Sequence, residues 1–313
     1  MSTTMTTTTA SAADYKQLRE ARPSFFGLVR GEFFKVMRQW TTWILLVLLA
    51  GAIVLPYLVE TARPRLQAIL TSTPLTFFYD QLGIGLSVLR VFTGFFLLIM
   101  TARLIGQEYQ LGTIRVLLAR GVGRLQLLSA KLLTMAIIGI ILLIVGLALN
   151  YLLTMALVAG VSGSLNAFNA LTSQFWSDVG TYVLYILLNM GVSILLATAA
   201  AVIGRASVFG ISAALAFFPL DNFGTVIMLL AFRVTNSDFW LSITAYFLGP
   251  NLNQMPAALT NNRVQSIGFG PLYQGGTHGI QVDGTHTLVV AAIYAVIFAA
   301  TAIWLTWKRD VQE

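Results

Sequence analysis

The sequence has no cysteine, two histidines and only 10% charged residues over 313 positions. Without cysteine the chain can form neither a disulfide nor a thiolate metal site. Soluble proteins carry about 25% charged residues, so the low charge content argues against a water-soluble fold. With 57% hydrophobic residues the chain cannot cover its apolar surface in water. These features predict an all-α integral membrane protein.

The chain also lacks the Gly-x-x-x-x-Gly-Lys-Ser/Thr phosphate-binding loop, because no lysine directly follows a glycine. It is therefore not expected to be an ATP-hydrolysing enzyme, and no catalytic residue, cofactor or metal site is predicted within it. His278, Asp283 and His286 share one polar stretch, and we expect them to be solvated rather than to bind zinc.

Six segments are apolar and long enough to span a bilayer, which needs roughly 20 residues. They cover approximately residues 43–59, 83–105, 132–158, 179–203, 208–232 and 287–307. Residues 1–22 begin with a threonine-rich polar run and lack the apolar core of a signal peptide, which predicts a disordered tail. Residues 23–313 are predicted to form a single six-helix transmembrane domain.

Residues 23–40, ahead of the first span, have the spacing of an amphipathic helix. Apolar residues fall on one stripe, whereas Arg30, Glu32, Lys35 and Arg38 fall mostly on the other side. A basic helix with aromatic residues on its apolar face is typical of the membrane interface. A simple extension of the first span is the alternative.

The distribution of lysine and arginine predicts the orientation. Fourteen of the 19 fall on one side, four fall on the other, and Arg90 lies within a span. Because cytoplasmic loops are enriched in these residues, the crowded side is assigned to the cytoplasm and the chain to the plasma membrane, with both termini cytoplasmic. The net charge of +7 then reflects orientation and contact with anionic lipids, not nucleic-acid binding.

Residues 103–131 join the second and third spans and carry five of these basic residues. Gly112 can adopt the left-handed conformation that ends a helix. Thr113 can then cap a short helix over residues 114–119. Gly121-Val122-Gly123 would end that helix before the third span. The pattern predicts a short basic helix held at the membrane surface.

At this segment the chain resembles the ABC type-2 exporter permeases. The resemblance is carried by Glu108-Tyr109-x-x-Gly112-Thr113-x-Arg115-x-Leu117-Leu118, followed by Arg124 and Ala130-Lys131. The chain departs from the family at Gly121-Val122-Gly123-Arg124, where Pro-Val-Ser-Arg is usual, and its turn is therefore looser.

The resemblance implies the membrane-spanning subunit of an ATP-driven exporter that works by alternating access. ATP and Mg would be bound by a separate ATPase subunit, and a second permease copy, identical or related, would complete the translocation route. Residues 103–131 would be the coupling segment, and residues 23–40, with Glu32, Lys35 and Arg38, the connecting helix. The residues implied to couple to the ATPase are Glu108, Gly112, Thr113, Arg115, Leu118 and Arg124.

Other functions stay open on the sequence alone. The basic segment also suits an ordinary cytoplasmic loop that only sets orientation. A scaffold or sensor that binds a partner other than an ATPase is a second possibility. An ion-coupled secondary transporter is a third, although such proteins usually carry several carboxylates within the membrane.

Polar residues within the spans are candidates for the translocation path, because ionisable groups there are costly. Arg90 and Asp221 lie at similar depths and are predicted to pair or to face a polar cavity. A snorkelling arginine, or a turn at Pro219 that leaves Asp221 re-entrant, are the alternatives. Asn189 suits hydrogen bonding between helices or contact with cargo.

Residues 233–286 form the longest connection on the outer side and are predicted to make a small extracellular cap before the last span. Two short helices are expected at 239–247 and 253–260, separated by Gly249-Pro250. A β-hairpin is expected at 280–287, because Asp283-Gly284 suits a type I′ turn.

Overall fold

The computed structural model describes residues 24–308 except 114, 115, 117, 118, 120, 266, 267 and 273–281. Within these residues it is all helical, with no strand, which confirms the predicted fold class. The helices are α1 (Phe25–Met37), α2 (Trp40–Thr61), α3 (Leu66–Ser72), α4 (Pro74–Gln110), α5 (Arg124–Ser162), α6 (Ser173–Gly204), α7 (Ser207–Thr235), α8 (Phe239–Thr244), α9 (Leu248–Leu259) and α10 (Gly284–Lys308). A 3-10 turn covers Asn166–Ala170.

Six of these helices, α2, α4, α5, α6, α7 and α10, are long and apolar enough to cross a membrane. The six predicted spans are therefore confirmed as helices of a multi-pass membrane protein. Two of them are much longer than the predicted apolar runs: α4 has 37 residues and α5 has 39. Both continue into polar sequence, and α4 begins at Pro74, whose missing N–H fits the first turn of a helix.

The centre of the bundle is formed by α4 and α6, which pack on each other. Leu89 and Leu97 of α4 are fully buried, as are Tyr182 and Ile186 of α6. By contrast α2, α7 and α10 lie at the periphery, and most of the apolar side chains on their outer faces are exposed. Such outer faces suit contact with lipid, which is as apolar as the side chains themselves.

The end of the bundle where α4 finishes and α5 begins is referred to below as the basic end. Here α4 approaches the start of α7 closely. A Cβ atom added at Gly106 would lie 2.5 Å from Ser207 Cα, so only glycine fits at this crossing. On α6, Ala201 packs in the same way against Gly210 of α7.

The connection between α7 and α10 differs from the sequence prediction in two ways. Gly249 and Pro250 lie in the first turn of α9 and do not separate two helices. The predicted hairpin is wrong, because Gly284–Thr287 is the first turn of α10. Asp283 Oδ1 accepts a hydrogen bond from the His286 N–H at 2.8 Å, so the aspartate acts as a helix cap instead of a turn residue.

The same connection is packed into the bundle through α9. Leu248, Leu252 and Met255 of α9 are buried in the main core. Beyond α9, Arg263 forms a bidentate ion pair with Asp178 at the start of α6, with N···O distances of 2.6 and 2.8 Å. Burial of the apolar face of α9 and this ion pair fix the segment against α6 and α10.

We expect Gly106→Ala to lower the melting temperature of the purified protein in detergent. The added methyl group would press on the backbone of Ser207, and overpacking of this kind costs about 1–3 kcal/mol. The matched control is Gly51→Ala in α2, where no atom lies within 4 Å of the added Cβ. Equal melting temperatures for the two variants would show that α4 and α7 do not cross closely.

Candidate functional site

The connecting helix predicted at residues 23–40 is α1, which begins after Ser24 and ends at Met37. Ser24 Oγ accepts a hydrogen bond from the Gly27 N–H and so caps the helix. Its buried face carries Val29, Glu32 and Val36. The sequence predicts that the charged residues lie mostly away from the packed face, and Glu32 is an exception. This carboxylate is buried because two lysines neutralise it.

The predicted residues Glu32, Lys35 and Glu108 meet at the basic end, together with Lys131. Lys35 Nζ lies 2.8 Å from Glu32 Oε1 and 2.7 Å from Glu108 Oε1. Lys131 Nζ lies 2.8 Å from Glu32 Oε2 and 2.8 Å from Glu108 Oε1. The four side chains form a closed ring of alternating charge, called the charge ring below, which joins α1, α4 and α5.

The charge ring is electrically neutral and largely removed from solvent. Glu32, Glu108 and Lys131 are each at least 94% buried, whereas the side chain of Lys35 is 43% exposed. Burial lowers the pKa of Lys35, but the two carboxylates outweigh burial and hold that pKa above its ordinary value. Lys131 also donates to the carbonyl of Leu104 at 3.2 Å. Every charge in the ring thus has partners of opposite sign.

The segment between α4 and α5 lies directly beyond the charge ring. Gly112 has φ of +67° and Gly121 has φ of +82°, so the predicted glycine turns at both ends are confirmed. Between them, Thr113, Val116 and Ala119 are helical and exposed. Arg115 and Leu118 lie outside the described residues.

Val122 anchors the end of the segment. It is 4% exposed and packs with Leu127 of α5, against Leu28 of α1 and Tyr109 of α4. The same three helices that share the charge ring therefore also hold the segment through an apolar contact.

The other two predicted residues of this region lie outside the ring. Arg124 begins α5 and donates to the carbonyl of Trp307 at 3.4 Å, which ties the start of α5 to the end of α10. A cavity of about 20 Å³ has both Arg124 and Glu108 on its wall. Arg38 is the exposed C-cap residue of α1.

Two of the three predicted path residues line one cavity of about 250 Å³ between α4, α6, α7 and α9. Arg90 and Asn189 are both on its wall and are 7% and 6% exposed. Arg90 donates to the Tyr185 hydroxyl and to Asn253 Oδ1, the latter at 3.2 Å. Its guanidinium also lies 5.5 Å from the centre of the Tyr185 ring.

Asp221 does not pair with Arg90. Its Oδ2 accepts a hydrogen bond from the Gly249 N–H in the first turn of α9. The positive end of a helix dipole is a favourable partner for a carboxylate, which accounts for this position. The alternative of a re-entrant turn is excluded as well, since α7 continues through Pro219 to Thr235.

Comparison with protein families gives one match. A family model described as "ABC-2 family transporter protein" matches residues 28–221. This chain belongs to the ABC-2 transporter family. The matched part of the permease contains most of α1, the whole charge ring and the segment between α4 and α5, and it ends in α7. A search of curated proteins found no match.

Sequence reasoning missed two residues of the permease that hold charged contacts. The sequence pattern presents Lys131 only as an orientation signal and as part of the resemblance, although a lysine seven residues inside a long apolar helix needs a partner. The contact of Asp178 is not predictable from the sequence, because nothing near it indicates Arg263, which is 85 residues away. In both cases the signal is a charge inside a long helix with no local counter-charge.

We expect Lys131→Met to destabilise the permease strongly. It leaves Glu32 and Glu108 buried with only Lys35 as a partner, and breaking a buried ion pair typically costs 3–5 kcal/mol. The double variant with Glu32→Gln should lose less than the sum of the single losses, since one orphaned carboxylate is removed. Melting temperature in detergent is the measurement.

The matched control is Arg63→Met, which removes an exposed ion pair with Glu60. Exposed pairs contribute little, so its melting temperature should stay close to that of the wild type. Strictly additive losses in the Lys131 and Glu32 cycle would contradict a closed ring.

Proposed function

We propose that this chain is the membrane-spanning subunit of an ATP-driven exporter in the plasma membrane, and that a separate subunit binds and hydrolyses ATP with Mg. Family membership supports this, because ABC-2 membrane domains generally work with an ATP-binding subunit. The observation that carries the proposal is the charge ring. It connects α1 to the two helices that flank the exposed segment.

In this proposal the ATPase docks on the segment that contains Gly112, Thr113, Arg115 and Leu118. Thr113, Val116 and Ala119 of this segment are exposed and helical, as a docking element requires. The charge ring and Val122 then fix the segment to α1, α4 and α5 as one unit. A push on the segment would move these three helices together, because rearrangement of the ring would expose buried charges.

The permease would work with a second copy of itself or a related chain, and with both termini in the cytoplasm. The excess of lysine and arginine at the basic end supports this orientation. The outer face of α7 is apolar and exposed at positions such as Leu220 and Phe223, so it is suited to lipid or to another transmembrane helix. Alternating access between two such chains would carry cargo out of the cell.

Deletion of residues 112–120 tests the proposal. We expect the wild-type chain, purified from its own cells in mild detergent, to bring with it a Mg-dependent ATPase activity. The deletion should remove at least about nine-tenths of that activity, because the docking helix is gone. The melting temperature of the chain alone should stay near the wild-type value, since the charge ring lies outside the deletion.

A pair of charge reversals provides the matched control. Arg115→Glu at the proposed docking segment should weaken co-purification of the ATPase, whereas Arg63→Glu, in the connection between α2 and α3 at the opposite end, should not. Co-purification of a partner without ATPase activity would instead favour a scaffold. Transport by the isolated chain that depends on an ion gradient would favour a secondary transporter.

A further inference from the structure

The cavity between α4, α6, α7 and α9 contains the positive charge of Arg90, which forms no ion pair with any carboxylate of the described residues. Arg90 is 93% buried, and both of its hydrogen-bond partners, Tyr185 and Asn253, are neutral. Within the described part of the chain no carboxylate lies within 4 Å of its nitrogens. An unpaired charge inside a membrane helix is costly and marks a functional position.

Two polar groups in the cavity have hydrogen-bonding capacity left over. Arg90 Nε is buried without a hydrogen-bond partner, and so is Ser193 Oγ. Ser193 is 1% exposed and lines the same cavity as Arg90. Other buried side-chain atoms of the described residues also lack a partner, but these two donors share the wall of one cavity, and such a pair leaves a place for an acceptor between them.

The cavity wall is built by two helix stripes that leave room for such an acceptor. Tyr185, Asn189 and Ser193 follow each other at four-residue spacing on α6. Gly94 of α4 lies opposite Asn189 and Ser193. A Cβ atom added at Gly94 would lie 3.6 Å from Asn189 Oδ1 and 3.7 Å from Ser193 Oγ. Because Gly94 has no side chain, the space between α4 and α6 stays open next to the polar groups.

The border of the cavity is apolar and accessible from outside the bundle. Val91 and Phe95 line it and are 37% and 38% exposed. The volume of about 250 Å³ lies below the usual range of about 300–1,000 Å³ for whole small-molecule ligands. It therefore suits a polar head, with an apolar tail lying outside along Val91 and Phe95.

We propose that this cavity binds the anionic head of a single-chain amphiphile, a phosphate or carboxylate with an alkyl tail, which enters from the membrane. Arg90 Nε and Ser193 Oγ donate to the anion, and Asn189 lies beside it. Guanidinium groups bind phosphate and carboxylate oxygens with strong charge-assisted hydrogen bonds. The proposal deepens the proposed function, on which it rests for the statement that the bound amphiphile is cargo.

A second cavity among the described residues has a buried donor without a partner, Gln81 Nε2, but no charge on its wall. It has about 230 Å³ and lies between α2, α4, α5 and α6. None of its lining residues is charged, and its Tyr57 hydroxyl already bonds to Asn150 and Thr154. The anionic head is therefore assigned to the Arg90 cavity.

The test uses the full chain alone in dodecyl maltoside micelles, with dansyl-undecanoic acid as a fluorescent probe. We expect saturable binding that is displaced by dodecyl phosphate, but not by dodecyltrimethylammonium. Inorganic phosphate should not displace the probe at tenfold higher concentration, because it lacks the tail. Displacement of the probe by inorganic phosphate at equal concentration would show a site for a free anion. Displacement by dodecyltrimethylammonium would show a non-selective apolar site. Either result would overturn the proposal.

Two hydroxyl deletions provide a matched pair of variants. Ser193→Ala removes a hydroxyl that has no hydrogen bond, so the fold should be unaffected, but binding of the probe should weaken about tenfold. Thr101→Val removes another buried hydroxyl without a partner, located on α4 away from the cavity, and should leave binding unchanged. Equal affinities for the two variants would overturn the proposal.

Arg90→Gln should abolish the preference for dodecyl phosphate over dodecyltrimethylammonium. If Arg90→Gln does not fold, Gly94→Val tests the same cavity. The valine side chain would project toward Asn189 and Ser193, and it should lower the affinity for the probe at least tenfold. None of these measurements needs an ATPase subunit. A failure here would leave the exporter assignment intact, and failure of ATPase co-purification would leave the binding site intact.

Discussion

The arrangement of the basic end depends on the rule that a charge removed from water needs a counter-charge. Four charged side chains from three helices satisfy that rule together. Moving any one of them away would take a counter-charge from each of its two partners. Breaking one contact of such a ring is unfavourable even where the complete ring adds little net stability. The main effect of the ring is therefore on conformational specificity, because its contacts form only in one relative position of α1, α4 and α5.

This constraint also bears on the role proposed for the short segment between α4 and α5. The segment between Gly112 and Gly121 is bounded by two glycines of positive φ, neither of which has a side chain that could anchor it. The charge ring and buried Val122 hold the segment at its base. In the proposed function, a force applied to the segment would therefore be transferred to these helices.

Arg90 lies in α4, the same helix as Glu108, but its buried charge has only neutral partners among the described residues. Its charge is stabilised by a tyrosine ring, a hydroxyl and an amide, all of them neutral, and one nitrogen has no partner. A structural role would be better served by a carboxylate, and Asp221 of α7, the acid expected there from the sequence, bonds to the first turn of α9 instead. Every charge of the ring has a counter-charge, although Glu108 Oε2 accepts no hydrogen bond, whereas Arg90 has no carboxylate within 4 Å among the described residues. This difference in counter-charge separates a structural cluster from a binding site.

The sequence predicts those features of the permease that depend on local chemistry. Apolar runs define the six spans, and Gly112 ends α4 because glycine tolerates a positive φ. Contacts between distant residues were not predictable, since Lys131 and Glu32 are 99 positions apart and amphipathic periodicity does not show which face meets protein. The hairpin at Asp283-Gly284 failed for a related reason. Aspartate suits a helix cap as well as a turn, and the apolar run after Thr287 extends the helix.

The length of α4 connects the two sites. Eighteen residues separate Arg90 from Glu108, which is about 27 Å of uninterrupted helix at 1.5 Å per residue. A helix that is buried along most of its length cannot bend without disturbing the core, so displacement of Glu108 moves Arg90 and Gly94 as well. The opposite wall of the cavity belongs to α6, which contributes nothing to the charge ring. Motion that begins at the segment would therefore shift Arg90 relative to Ser193, and would weaken the hold on an anion bound between them.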